Sequence, residues 1–482
     1  MREPPPELLT PEEMGRADEA TIAGGIPGIA LMENAGRAVA RAVARRFAPC
    51  RTLVLCGPGN NGGDGYVTAR RLGEMGWPVA VAALAAPREG TDAALAAARW
   101  RGPRADFSAT AADRAELVID AVFGAGLSRA VEGKAADALS AARLVAAVDV
   151  PSGVEGASGA VLGFAPSAAL TVTFFRRKPG HLLLPGRVRC GALILAGIGT
   201  PESVLETVRP RAFANGPAIW LLPAPGPETH KWSRGSVTVL GGAAMTGAAR
   251  LAAAGARRAG AGLVTIAAPA ASAAIYRAGT AGVIVSEAPL AELLGDARRA
   301  VFVCGPGLGI EAARAALPVL LGAGRVVVAD ADALTAFAGA PEGLKGAAVI
   351  TPHAGEFARL FGEAGPDRLA AARAAAARTG AVVVLKGADT VIAAPDGWVA
   401  INASAPPDLA SAGTGDVLAG VIAGLLAQGM GAREAAAAGV YLHGAAAAVV
   451  GPGLIAEDLP EAIPRAMREA REEGEEWRRS GS

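Results

Sequence analysis

Short apolar runs alternate with alanine-rich helical stretches along this whole chain, and the pattern predicts an α/β protein of two domains. Three observations carry that expectation. The strand-like runs are apolar on both faces, as in parallel sheets covered by helices on each side. At 482 residues the chain exceeds what one compact core usually supports. Pro217, Pro223, Pro225 and Pro227 cluster near the middle, where a linker is expected between domains over residues 1–212 and 216–482.

In the first half, strands are expected at Thr52–Cys56, Val79–Leu84, Leu117–Val122, Leu144–Val148, Leu170–Phe175 and Ala192–Leu195. In the second half they are expected at Ser236–Leu240, Leu263–Ala267, Val301–Cys304, Arg325–Ala329, Ala347–Ile350 and Val382–Leu385. Hydrophobic residues make up 52% of the chain but aromatics only 4%, so the cores are to be built from Ala, Val and Leu. The uncharged run from Ala435 to Ala456 contains His443 and a Gly-Pro-Gly break. It reads as a buried helix, not a membrane span. The tail from Pro460 to Arg479 reads as a charged amphipathic helix.

Composition narrows the function. There are 46 basic and 45 acidic residues, without the basic excess that a nucleic-acid partner usually requires. Cys50, Cys56, Cys190 and Cys304 are scattered, with no CxxC pair and no metal spacing. Such cysteines suggest a reduced, cytoplasmic protein. The Pro- and Glu-rich start, Met1 to Glu13, does not read as a signal peptide.

Three strand ends in the first half carry site chemistry. Strand Thr52–Cys56 runs into Gly57-Pro58-Gly59-Asn60-Asn61-Gly62-Gly63-Asp64-Gly65, with a helix expected near Tyr66. The loop is neither GxGxxG nor a P-loop, but its Asn and Asp oxygens suit a hard cation. Asp120 precedes Phe123-Gly124-Ala125-Gly126-Leu127-Ser128-Arg129, and Asp149 precedes Val150-Pro151-Ser152-Gly153. Ligands of open parallel sheets sit at the carboxyl ends of the strands, so Asn61, Asp120, Asp149 and Ser152 should converge. A helix N-cap would explain either aspartate alone, but not the set.

The second half contains Ala412-Gly413-Thr414-Gly415-Asp416, followed at once by a long apolar helix. Free N–H groups at a helix start bind phosphate. A carboxylate there would repel phosphates, and makes sense as a base for a hydroxyl about to attack phosphorus. Lys386 in Leu385-Lys386-Gly387-Ala388-Asp389-Thr390 follows a strand and suits a diphosphate. Asp330 and Asp332, then Thr351-Pro352-His353-Ala354-Gly355-Glu356, also follow strands. Gly305-Pro306-Gly307-Leu308-Gly309 opens a further helix.

Two resemblances follow from these motifs. Leu31-Met32-Glu33-Asn34-Ala35-Gly36, the Asn60–Gly65 segment, Phe123–Gly126, Val148–Gly153 and Lys178-Pro179-Gly180-His181 look like the NAD(P)H-hydrate epimerase family, over roughly residues 10 to 205. That resemblance implies a Rossmann-like three-layer sandwich that interconverts R- and S-NAD(P)HX and binds K⁺. Asn60, Asn61, Gly62, Gly63, Asp64, Gly124, Ala125, Gly126, Leu127, Ser128, Arg129 and Ala130 would hold the nucleotide. Asn61, Asp120 and Ser152 would hold K⁺, and Asp149 would be the acid/base residue. The second half, roughly residue 225 to 475, resembles the ADP-dependent NAD(P)H-hydrate dehydratase family. That implies a ribokinase-like three-layer sandwich using ADP with Mg²⁺. ADP would phosphorylate the hydrate hydroxyl, and loss of phosphate would regenerate NAD(P)H with AMP. Lys386, Gly387, Ala388, Asp389, Thr390 and Gly415 would bind ADP; Gly307, Gly309 and His353 would touch the hydrate; Asp416 would be the base. Ala405-Pro406-Pro407-Asp408 and Trp232 depart from that family's pattern. A homo-oligomer is expected. The rival reading is a hydroxymethylpyrimidine or sugar kinase fused to an inactive nucleotide-binding module.

Overall fold

The computed structural model describes residues 4–481, and the first three residues of the Pro-rich start lie outside them. The chain forms two compact units, Met1–Ala212 and Phe213–Ser482. The division precedes the Pro-rich segment expected to be the linker. Trp220 and Leu222 supply the reason: both are buried in the second unit's core. The Trp220 indole N–H also donates to Asn215 Oδ1 at 3.1 Å, and its ring packs edge-on to Tyr441. Residues 217–222 are therefore largely packed chain, and residues 224–227 are exposed.

The first unit holds a parallel sheet whose strands stand in the order Val79–Ala83, Thr52–Cys56, Leu117–Ala121, Val145–Val148, Leu170–Phe174 and Ala192–Ala196. Alternate residues point to opposite faces. Val54 and Cys56 join a core with Leu31, Met32 and Val39 of the helix Gly28–Arg46. Leu53 and Leu55 join a second core with Leu139 and Val122 on the other face.

The helix after Thr52–Cys56 begins at Asn60, not near Tyr66 as expected. Its glycines explain the early start. A β-carbon on Gly62 would lie 1.8 Å from Gly57 O, and one on Gly65 would lie 2.6 Å from Ala121 Cβ. These glycines let the first turns of the helix press onto the strand ends. Gly62→Ala is expected to cost roughly 1–3 kcal/mol by overpacking, read as a fall of several degrees in Tm. An unchanged Tm would refute this tight packing.

In the second unit the strands stand in the order Val399–Asn402, Thr390–Ala393, Val382–Leu385, Val349–Ile350, Val326–Ala329, Val301–Cys304, Ser236–Leu240, Leu263–Ala267 and Ile284–Ser286. The expected all-parallel sheet needs one correction. Thr390–Ala393 runs antiparallel to both its neighbours, in a hairpin turned by Pro395-Asp396-Gly397, where Gly397 has φ +88°. The helix Thr414–Ala427 is buried against the helix Thr246–Arg258. A β-carbon at Gly420 would lie 1.9 Å from Ala252 O, and one at Gly424 2.6 Å from Ala256 O. The two backbones thus touch directly, which a core so poor in aromatics permits. The run around His443 forms the buried helix Ala432–Val450, and the tail forms the helix Asp458–Gly481. Among the described residues no helix is long and apolar enough to cross a membrane.

Candidate active sites

The carboxyl ends of the first unit's strands open on a cavity of about 620 Å³. Asp149 stands one residue beyond the strand Val145–Val148, with φ +66°. Backbone in that region is uncommon outside glycine and is held only by surrounding structure. Here the restraints are explicit. Asp149 Oδ2 accepts from Ala125 N at 3.1 Å, and Oδ1 accepts from Thr173 Oγ1 at 2.9 Å and Lys178 Nζ at 2.6 Å. His181 Nδ1 accepts from Lys178 N at 2.8 Å, so its proton sits on Nε2, which donates to Asp149 O at 2.9 Å.

The charges of this cluster follow. Burial acts to raise the Asp149 pKa, but the Lys178 ammonium outweighs it and holds the group below the usual carboxylate range. Burial, with the charge of Lys178, pushes His181 down to about 4 and keeps it neutral. Three further carboxyls, Asp18, Asp64 and Asp92, line the same cavity. Burial raises Asp18 to about 6, with Lys178 opposing and Asp149 adding. Burial, then Asp149 and Asp18, holds Asp64 well above the ordinary value. Lys178 thus acts on Asp18, Asp64 and Asp149, whose protonation their surroundings separate.

Of the residues expected here, Asn60, Asn61, Asp64, Gly124, Ala125, Gly126, Leu127, Ser128, Arg129 and Asp149 line the cavity. Gly62, Gly63 and Ala130 lie outside its lining. Asp120 and Ser152 also lie outside it, tied to each other: Asp120 Oδ1 accepts from Ser152 Oγ at 2.6 Å and Oδ2 from Ser152 N at 2.8 Å. Asp120 is fully buried, which raises it to about 6 against those bonds. Asn61 Nδ2 is buried without a hydrogen-bond partner.

The second unit gathers a comparable set. Asp416 sits in the first turn of the helix Thr414–Ala427, whose N-cap is Gly413 at φ +87°. Lys386 Nζ donates to Asp330 Oδ1 at 3.0 Å and lies 4.0 Å from Glu356 Oε2. A β-carbon on Gly415 would stand 3.4 Å from Lys386 Nζ, so Lys386 meets the Asp416 helix at its start. Burial pushes Asp416 up to about 6; Asp330 adds to that, Lys386 opposes it, and Asp332 and Glu356 add again. Burial would lower Lys386, but Asp330 and Glu356 outweigh it and keep the ammonium charged. Gly309 has φ +93° and donates its N–H to Asp332 Oδ2 at 2.8 Å. His353 caps the helix Ala354–Phe361, its Nδ1 accepting from Gly355 N and Glu356 N, while its ring stays exposed. Asp389 pairs with Arg368 at 3.7 Å, and Thr390 Oγ1 donates to Gly387 O at 2.8 Å. Those two contacts hold the Lys386–Thr390 turn.

Sequence reasoning gave no role to Lys178, His181 or Asp18, nor to Asp330 and Glu356 around Lys386. Lys178 and His181 had a signal, since they stand in one of the motifs. Asp18 had none, because nothing local links a helix near the start to a strand end 131 positions later.

Comparison with known proteins completes the picture. A family model described as NAD(P)H-hydrate dehydratase matches residues 237–465, and one described as YjeF-related protein N-terminus matches residues 28–180. The bifunctional NAD(P)H-hydrate repair enzyme Nnr of Thermofilum pendens is 38% identical, with 95% of this chain and 95% of that protein covered. The enzyme of the same name from Moorella thermoacetica is 39% identical, over 97% of this chain and 98% of the other. A solved structure of the ADP/ATP-dependent NAD(P)H-hydrate dehydratase from Bacillus subtilis is 30% identical, covering 53% of this chain and 96% of that one, with a TM-score of 0.46. Both halves match in order and over nearly their whole length, so this chain belongs to the family of bifunctional NAD(P)H-hydrate repair enzymes.

Proposed function

We propose that the chain repairs hydrated NAD(P)H in two reactions: epimerisation of R- and S-NAD(P)HX in Met1–Ala212, and ADP-dependent dehydration of the S epimer in Phe213–Ser482. The observation that carries this is the near-complete match to repair enzymes, in a chain that keeps an acidic residue poised in each unit. The pairing has chemical logic. Hydration yields two epimers, a stereospecific dehydratase consumes one, and an epimerase supplies it from the other.

In dehydration, Asp416 removes the hydroxyl proton as that oxygen attacks the β-phosphorus of ADP, and AMP leaves. Lys386 sets positive charge beside the transferring group. Phosphate then leaves with the C–O electron pair, and the neighbouring ring carbon gives up a proton, which regenerates the dihydronicotinamide. Gly387, Ala388, Asp389, Thr390 and Gly415 form the ADP cradle, and Gly307, Gly309 and His353 face the hydrate. Among the described residues no cluster of three or more His, Cys, Asp or Glu could hold a metal. Mg²⁺ would therefore enter on ADP phosphate oxygens, which it favours.

In the first unit, Asp149 acts from its ionised form, as a base. The donors proposed for K⁺ are all oxygens: the Asn61 amide, the Asp120 carboxylate and the Ser152 hydroxyl, with Phe123 O 3.2 Å from Ser152 Oγ. The unpartnered Asn61 amide fits this role, because turning it over would present its oxygen to a cation. Such an ion supplies fixed positive charge beside the nucleotide phosphates. Epimerisation is expected to fall when K⁺ is replaced by choline, and Asn61→Ala should lose that response. Density at this position with ligand distances near ~2.1 Å in octahedral geometry would identify Mg²⁺ and sink the K⁺ assignment.

A cytoplasmic location accords with four free cysteines, and self-association belongs to the same proposal. The rival, a small-alcohol kinase carrying an inactive module, leaves the first unit's organised cavity without a purpose. Mixed-epimer NADHX, incubated with and without ADP and followed at ~340 nm for the reduced nicotinamide, tests the whole proposal. Complete conversion with ADP is expected; conversion that stops once the S epimer is spent would remove the epimerase.

A further inference from the structure

Asp18 is a carboxyl of the first cavity that belongs to none of the sequence motifs. It comes from the helix Pro11–Ala23 and lines the same cavity as Asp64, Asp149 and Lys178. Its Oδ1 is buried and has no hydrogen-bond partner. Asp149 differs in this respect, because Ala125, Thr173 and Lys178 already engage both of its oxygens. A carboxyl that lines a substrate-sized cavity beside Asp149 and has one oxygen unengaged by the protein is placed to act on what enters.

The chemistry asks for such a group. Water adds to the enamine of a dihydronicotinamide at the carbon beside the ring nitrogen, so that carbon bears the hydroxyl and is the stereocentre. Inverting it requires the C–O bond to break and to re-form on the other face. Hydroxide leaves poorly unless it is protonated, and the returning water must lose a proton. One group must start protonated and another ionised, and Asp149 is the ionised one.

We propose that Asp18 is the proton donor of the epimerase cavity and the partner of Asp149. Asp18 gives its proton to the departing hydroxyl, which leaves as water with the C–O electron pair. The nitrogen lone pair closes to a C=N⁺ bond. Water then adds to the other face, its electron pair forming the new C–O bond and its proton passing to Asp149. The substrate is inverted and one proton has moved from Asp18 to Asp149; exchange with solvent, or passage of the opposite epimer, restores the start. The raised affinity of Asp18 for its proton accords with this role. The charged groups facing it are Lys178, Asp149 and Asp64. The inference rests on the epimerase reading of this unit.

The test is the pH profile of R-epimer consumption by the full chain. A donor must be protonated, so wild-type kcat/KM is expected to fall as pH rises through the Asp18 pKa. Asp18→Asn should lower kcat by about a hundredfold or more, leave KM within a few-fold, and lose that alkaline limb. Dehydration of the S epimer by the same preparation should be unchanged. Asp18→Glu should recover most of the lost rate with the limb present; this variant carries the test if Asp18→Asn does not fold. The proposal is overturned by an Asp18→Asn enzyme of near wild-type rate with the limb intact, by an Asp18→Glu enzyme without the limb, or by loss of the limb on Asp64→Asn instead. A wild-type chain that never consumes the R epimer would overturn the epimerase reading itself, whereas equal activity of wild type and Asp18→Asn would overturn this assignment alone.

Discussion

Asp416→Asn is expected to abolish ADP-dependent formation of NADH from S-NADHX while R-to-S conversion proceeds at the wild-type rate. The substitution keeps the size of the side chain and the helix start, and removes only the capacity to take a proton. A positioned general base is worth about a hundred- to ten-thousand-fold, so the residual rate should lie in that range below wild type. A variant within about tenfold of wild type would show that Asp416 is not the base, because the loss expected of a base is larger. The pH dependence gives a second reading. Asp416 must be ionised to act, and its burial among Asp330, Asp332 and Glu356 raises it to about 6. The wild-type kcat/KM for dehydration should therefore be level above that pH and decline as pH falls through it. Asp416→Asn should lose this acid limb.

Asp149→Asn is expected to have the converse effect, removing conversion of the R epimer and leaving dehydration of the S epimer intact. Asparagine accepts positive φ better than most residues, so it tolerates the backbone at +66° and isolates the chemistry from the turn. The same change strips Lys178, which is only 2% exposed, of its ion-pair partner. Leaving a buried charge without its partner typically costs about 3–5 kcal/mol. A lower melting temperature should accompany the kinetic loss. Adding Lys178→Met removes the orphaned charge and should recover stability without recovering epimerisation. An Asp149→Asn enzyme that consumes the R epimer as fast as wild type would remove Asp149 from the reaction.

Much of this protein was legible in the sequence because the information was local. Each strand expected from a short apolar run is present, since burial selects such runs, on both faces in all but edge strands such as Ala192–Ala196. Asp149, Lys386 and Asp416 could be singled out because strand ends and helix starts are where an α/β fold exposes chemistry. Other features were decided by packing between distant segments. The Asn60 helix starts early because Gly62 and Gly65 meet Gly57 and Ala121, a contact that no local pattern encodes. The first part of the Pro-rich stretch is packed because Trp220 and Leu222 find the second core. The protonation states are tertiary as well. Asp18, Asp64 and Asp149 are the same residue type in sequence, and only their placement sets them apart: burial raises the proton affinity of Asp18 and Asp64, while Lys178 lowers that of Asp149. Likewise the proton affinity of Asp416 rises because the fold buries it, with Asp330, Asp332 and Glu356 from other segments adding to the effect. Sequence by itself determined the α/β class, the strands and the candidate side chains; tertiary structure decided their charges, because charge in a protein depends on burial and neighbours, which the order of residues along the chain does not state.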